Sequence, residues 1–422
     1  MSLPDESISA RIYRALTILA AVTLPVHQRI NAAVLLFLLL FWIGERLVSL
    51  GRRPFTFPSI GKNKVLLFGI LYVLYLIGMI YSSNPGYGWM DLETKAGILL
   101  FPVFFATAGA AITDGKSVRT LLYSFVMSVA AVSLFLLARA AILYAGVNNP
   151  SVFYYSSLSY HKHPSYFSMY LVFSISFLLY MLEKPGRILS PVGPYLHYGA
   201  LLLMSVMVFL LSSKAGIFSL CLVFILYAIW QCSRGRFIRG AVFLAGISGL
   251  LVMLFTLLPG GQNRFRQAQE VVSRSEDIAA STSESTGERI LIWRASLEII
   301  REHWPAGTGT GDVKDVLTEK YKEKGIVHAF DRKLNAHNQF LQTFIALGLP
   351  GVVTLLLSFV LPGYMALKRR KFLYVAFLSV VLINLLVESM LERHDGTVFY
   401  SLFNTLLFVT CLGKGRGELF GD

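Results

Sequence analysis

The chain has 422 residues, 55% of them hydrophobic and only 15% charged, with a formal net charge of +14. A soluble protein would be nearer a quarter charged, so composition excludes an ordinary water-soluble globular protein. The apolar residues fall in long blocks instead of at amphipathic spacing, which excludes core helices of a soluble domain as well.

In chain order, apolar segments at 11–26, 30–48, 64–81, 95–112, 119–144, 164–182, 197–212, 215–232 and 240–258 predict membrane helices, because in lipid only a helix satisfies its own backbone. Three more follow at 339–363, 372–391 and 398–413. The expected fold class is an all-α integral membrane protein, with about twelve transmembrane helices and one large, partly helical loop on the non-cytoplasmic side. Three parts result: residues 1–259 with the first nine helices, the loop at 260–338, and residues 339–422 with the last three helices and a cytoplasmic tail. The first apolar block lacks a small-residue cleavage site and reads as an uncleaved span, not a signal peptide.

Charge sets the orientation. With both termini cytoplasmic, 20 of the 38 Lys and Arg residues fall in cytoplasmic segments. Only five, Arg29, Lys95, Lys162, Lys214 and Arg393, fall in short loops on the other side, as the positive-inside rule requires. The large loop holds twelve basic and twelve acidic residues, so it is neutral and no nucleic-acid partner is expected. Within it, Ile290, Trp293, Leu297, Ile300 and Trp304 form one stripe at helical spacing, ended by Pro305, Gly307, Gly309 and Gly311. Cys221, Cys232 and Cys411 lie in or beside apolar spans without CxxC spacing, which suggests neither a disulfide framework nor a zinc site.

No phosphate-binding glycine loop, HExxH or GxSxG element is present. The polar residues of interest gather instead on one membrane face. His337 stands in Asn335-Ala336-His337-Asn338-Gln339, where the tenth span begins. Its imidazole, partly neutral near pH 7, can accept a proton from a hydroxyl, though the cluster reads equally well as a helix cap. Arg289, Arg264, Arg266 and Lys214 are cations at the outer mouth of the bundle, suited to a phosphate or diphosphate or to plain surface ion pairing. His161 and His163 precede the sixth span beside Tyr160 and Tyr166, which read as interfacial anchors; two histidines at i, i+2 share no helix face, so no metal site is expected. Arg139, inside its span, snorkels or pairs within the bundle. Glu388 and Glu392, one turn apart, either hold a cation such as Arg139 or Lys214 or simply end a helix.

The run Gly287 to Gly311 (GERILIWRASLEIIREHWPAGTGTG), followed by Ala336–Gln342 and Leu347-Gly348-Leu349-Pro350-Gly351, resembles the signature loop of the O-antigen ligase and polymerase superfamily. The HPSYFS run at His163–Ser168, the SSKAG turn around Lys214 and the Glu388 region fit the same pattern, so the resemblance spans essentially the whole topology. It implies a bacterial inner-membrane enzyme with its active site on the periplasmic face and no cofactor or metal. Such an enzyme takes a glycan from undecaprenyl diphosphate and, in the ligase branch, attaches it to the lipid A–core oligosaccharide. By motif match His337 takes the family's histidine role and Arg289 an arginine role. Lys214 stands where arginine is usual, keeping the charge but losing the planar fork. Arg264, Arg266, His161, His163, Asn338, Glu388 and Arg139 complete the expected substrate-binding set. No carboxylate pair is placed for a glycosyl-enzyme route, so direct displacement with inversion is expected. The rival readings are an O-antigen polymerase, a protein O-oligosaccharyltransferase, and a lipid-linked glycan transporter. The last would be expected to have repeat halves and mid-membrane charges.

Overall fold

The computed structural model describes residues 7–50, 63–109, 112–184, 193–257 and 285–413, and among them there is helix but no strand. The first half comprises α1 (Ile8–Thr23), α2 (Gln28–Leu50), α3 (Ile70–Gly78), α4 (Pro85–Lys95), α5 (Gly97–Ala108) and α6 (Gly115–Val147). After a short α7 (Tyr155–Ser159) come α8 (Pro164–Leu182), α9 (Gly193–Leu210), α10 (Lys214–Ser233) and α11 (Phe237–Leu257). Three more polar helices follow, α12 (Ser285–Glu302), α13 (Val313–Glu323) and α14 (Val327–Arg332), then α15 (Gln339–Lys368), α16 (Phe372–Val387) and α17 (His394–Leu412).

Among the described residues, seven helices are long and apolar enough to cross a membrane. The segments expected at 11–26 and 95–112 form helices of 16 and 12 residues, short of the roughly 20 a span needs. The polar turn of α4 delays the start of α5, and Pro102 sits inside it. Conversely, α6 runs for 33 residues, beyond the 119–144 expected.

The centre of the bundle is α8 and α17, whose apolar windows are 94% and 89% buried. Rings from four helices interlock there: Phe125 with Phe403 at 4.8 Å, Phe173 with Phe403 at 4.9 Å, Phe173 with Phe377 at 5.2 Å. Tyr166, expected at the interface, is therefore buried as part of α8, whereas Tyr160 is exposed. The SSKAG turn sits against the HPSYFS run because both are small: a Cβ on Gly216 would lie 2.5 Å from that of Ser168. Ser213 caps α10 by accepting from the Gly216 amide, and its own hydroxyl lies 3.5 Å from Ser165 Oγ.

The face that α12 buries differs from the expected stripe. Ile292, Ala295, Ser296 and Ile299 are inside along with Ile300, while Leu297 and Trp304 are exposed. Helix α12 packs against α13 and α15, and the small Ala295 and Ser296 lie on its buried face.

Beyond α12 the chain threads into a kink of α15. Gly348 adopts φ 61°, which frees the carbonyls of Ile345 and Ala346 to accept from Thr308 (2.7 Å) and Gly309 (3.0 Å), while Leu349 N–H donates to Pro305 O at 2.8 Å. A Cβ at Gly348 would meet the Pro305 carbonyl oxygen at 1.7 Å. Gly348→Ala is expected to cost at least about 1–3 kcal/mol in backbone strain, read as a lower melting temperature in detergent. Asp312 then accepts from the amides of Ser83 and Asn84 at 2.8–2.9 Å, fastening this segment to the start of α4.

Candidate active site

Three strands of connection converge on Glu388. Helix α16 ends at Val387, and Glu388 follows in extended conformation with its amide on Asn384 O at 2.8 Å. Helix α15 begins opposite, capped by Asn338, whose Oδ1 accepts from Phe340 and Leu341 and whose Nδ2 donates to Leu386 O at 3.0 Å. Gln339 ties the next residues down by accepting from Leu391 N–H at 2.7 Å. Both polar atoms of Asn338 thus serve backbone, the helix-cap alternative for this part of the cluster.

His337 precedes that cap with φ 45°, a left-handed conformation uncommon for a residue with a side chain. Asn335 Oδ1 holds its amide at 3.1 Å. The turn presents imidazole Nδ1 to Glu388 Oε2 at 3.1 Å, while Arg289, from the first turns of α12, donates to Oε1 at 2.5 Å. Arg289 and His337 side chains are 23% and 22% exposed and Glu388 8%, so a buried carboxylate organises two groups that solvent or a ligand reaches.

Electrostatics follow from this geometry. Burial alone pushes the Glu388 carboxyl up, but the hydrogen bond from His337 and the charges of Arg289, His337 and His163 outweigh it and hold the group at about 2. An ionised Glu388 accepts only, so a neutral His337 would carry its proton on Nδ1, toward the carboxylate, and keep the lone pair on Nε2. That is the tautomer a proton acceptor needs.

Lys214 belongs to the same neighbourhood. It opens α10, and Nζ donates at 2.5 Å to Thr286 Oγ1, one turn before Arg289 on α12. His163, the N-cap of α8, lies within the field of Glu388, Arg289 and His337. The protein packed around its ring pushes this imidazole down, with Glu388 opposing, although part of the side chain is exposed.

The other expected residues lie elsewhere. Arg139 lies over the Tyr160 ring at 4.2 Å and donates to Ser157 O, so the cation that Glu388 holds is Arg289. His161 bonds the Val26 carbonyl through Nε2 and lies beside His27. Arg264 and Arg266 lie outside the described residues. Glu392 pairs with neither Arg139 nor Lys214 but with fully buried Lys95 at 2.7 Å, and Lys95 also bonds Asp91. Gln339 Nε2 reaches Glu392 at 3.3 Å, joining this ion cluster to the residues beside His337. Lys95 read as a loop cation in the sequence; the available signal was Asp91 four residues before it, ahead of an apolar run. Among the described residues, no three His, Cys, Asp or Glu side chains converge as metal ligands.

Residues 199–356 match the family model described as O-antigen ligase, a stretch that runs from α9 into α15 and includes Lys214, Arg289 and His337. That match supports membership of the O-antigen ligase superfamily. No match was found among curated proteins. Members of that superfamily are glycosyltransferase-type enzymes acting on lipid-linked glycans, and the seven helices of membrane-spanning length among the described residues suit a multi-pass membrane protein. Glu388 and His163 lie outside the matched stretch, and the fold carries both to the residues inside it.

Proposed function

We propose that the chain is an O-antigen ligase of the bacterial inner membrane. In this reading it transfers a glycan from undecaprenyl diphosphate to the lipid A–core oligosaccharide on the periplasmic side, without metal and with inversion. The observation that carries this reading is the His337–Glu388–Arg289 arrangement, with a proton-accepting nitrogen and two cations at one end of the bundle. An acceptor hydroxyl gives its proton to His337 Nε2 as its oxygen attacks the anomeric carbon. The bond from that carbon to the diphosphate oxygen breaks, and undecaprenyl diphosphate leaves with the electron pair. Its growing charge is met by Arg289 and Lys214, with Glu388 stabilising the imidazolium that forms.

The test is a reconstituted reaction given purified lipid-linked donor and separate acceptors. Glycan on lipid A–core supports the ligase; a longer glycan still on the lipid carrier identifies a polymerase instead. Turnover is expected to survive a strong chelator, and loss restored by a divalent cation would end the metal-free mechanism.

Arg289→Ala is expected to slow turnover by about 10²–10³-fold. Lys214→Arg should retain more activity than Lys214→Ala, since the charge survives. Normal rates in both alanine variants would move diphosphate binding elsewhere, with Arg264 and Arg266 the next candidates. The charge asymmetry of the sequence supports a sidedness with α13 outside the cytoplasm and the Lys368–Lys371 run inside. A cysteine at position 322 should therefore react with an impermeant reagent from the periplasm, and labelling only from the cytoplasm would overturn the sidedness.

A further inference from the structure

Two cavities away from His337 lie along one face of α2. The upper is a cleft of about 290 Å³ lined by His27, Gln28, Arg29, His161 and Lys162. No carboxylate is among its lining residues; Asp395 matches the charge of Lys162 at 2.6 Å, while the His27 and His161 rings approach to 5.6 Å. Arg29 is a permanent cation in the cleft, and His27, whose Nδ1 accepts from the Arg29 amide, keeps Nε2–H as a donor, so the cleft suits an anion. The lower cavity is an apolar groove of about 260 Å³, walled by α2 on one side and by Leu100, Phe101 and Phe104 of α5 on another.

The two are aligned. Gln28 lines the cleft, and Ala32, Leu35, Leu39 and Trp42 line the groove, at alternating spacings of four and three that keep one helix face. From Gln28 to Trp42 that face descends about 21 Å, enough for a chain reaching past the middle of a hydrocarbon core about 30 Å thick. The membrane-length apolar stretch of α2 begins at Gln28, so the cleft sits at headgroup depth. Glu93, Thr94 and His394 add polar groups to the groove lining.

We propose that this face of α2 binds a phospholipid of the surrounding bilayer, with its phosphate among His27, Arg29 and His161 and one acyl chain in the groove. Neither cavity is lined by His337, Arg289, Glu388 or Lys214, which suits a resident lipid over a reacting one.

The purified full chain, stripped of lipid, would be titrated by native mass spectrometry with phosphatidylglycerol and with diacylglycerol of the same chains. Phosphatidylglycerol is expected to bind about tenfold tighter or more, as one or two charge-assisted hydrogen bonds provide. Arg29→Glu should remove most of that preference, and Leu39→Trp, which fills the groove, should weaken both lipids. Equal binding of the two lipids, or undiminished preference in Arg29→Glu, would overturn the proposal. So would displacement of the bound lipid by equimolar lipid-linked donor or glycolipid acceptor, which would make the face a substrate site.

Discussion

His337→Gln is expected to lower the rate of glycan transfer by about 10²–10⁴-fold while leaving expression and donor binding nearly unchanged. Glutamine fits the turn and keeps a hydrogen-bonding group toward Glu388, but it has no nitrogen that takes a proton. A residue that merely caps α15 or lines its entrance would tolerate this change, because Asn338 already supplies the cap to Phe340 and Leu341. The left-handed φ of 45° at His337 is met by histidine and glutamine alike, so backbone strain does not separate the two variants. Single-turnover transfer from pre-bound donor is the informative measurement, since it isolates chemistry from lipid exchange. Near-normal rates in His337→Gln would move the residue from proton transfer to scaffolding.

The membrane character and most of the helical blocks were legible because hydrophobicity over twenty residues is a strong signal with one structural outcome in lipid. The burial of α8 was not: its sequence is as apolar as that of a lipid-facing helix, and only packing against α6, α9, α10 and α16, with rings of α17, distinguishes it. For the same reason Tyr166 read as an anchor. At the site, residue types were legible and pairings were not. Glu388 lies 99 residues from Arg289 and 51 from His337, and no local spacing announces a contact made where two helix ends meet. Arg139 and Lys95 show the converse. Each is a cation beside an apolar run, yet one covers an exposed ring and the other is buried between two carboxylates. Partner choice depends on how far each helix extends past its neighbours, a property of the assembled bundle.

Glu388→Gln should be as damaging as the loss of the base itself, about 10²–10⁴-fold in kcat/KM, and it should leave a signature that a packing defect would not. Two effects combine. The amide can present its NH₂ to His337 Nδ1, favouring the tautomer with the proton on Nε2, and the imidazolium formed during attack loses its counter-charge. Removing an anion beside a proton acceptor disfavours the acceptor's charged form, so the acid limb of the pH–rate profile should move to lower pH. Wild-type Glu388, held at about 2, stays ionised throughout that range, so the limb it shapes belongs to another group. The stability sign is also fixed. The carboxyl is depressed from its ordinary value of 4.5 to about 2, so its contribution to folding is complete above the ordinary value and is lost as pH falls toward the lower one. Acid unfolding followed by tryptophan fluorescence should therefore begin at higher pH in proteins that keep Glu388 but lack Arg289 than in the wild type. If Glu388→Gln slows transfer with an unmoved pH profile, the carboxylate holds α16 to α12 and does not tune the base.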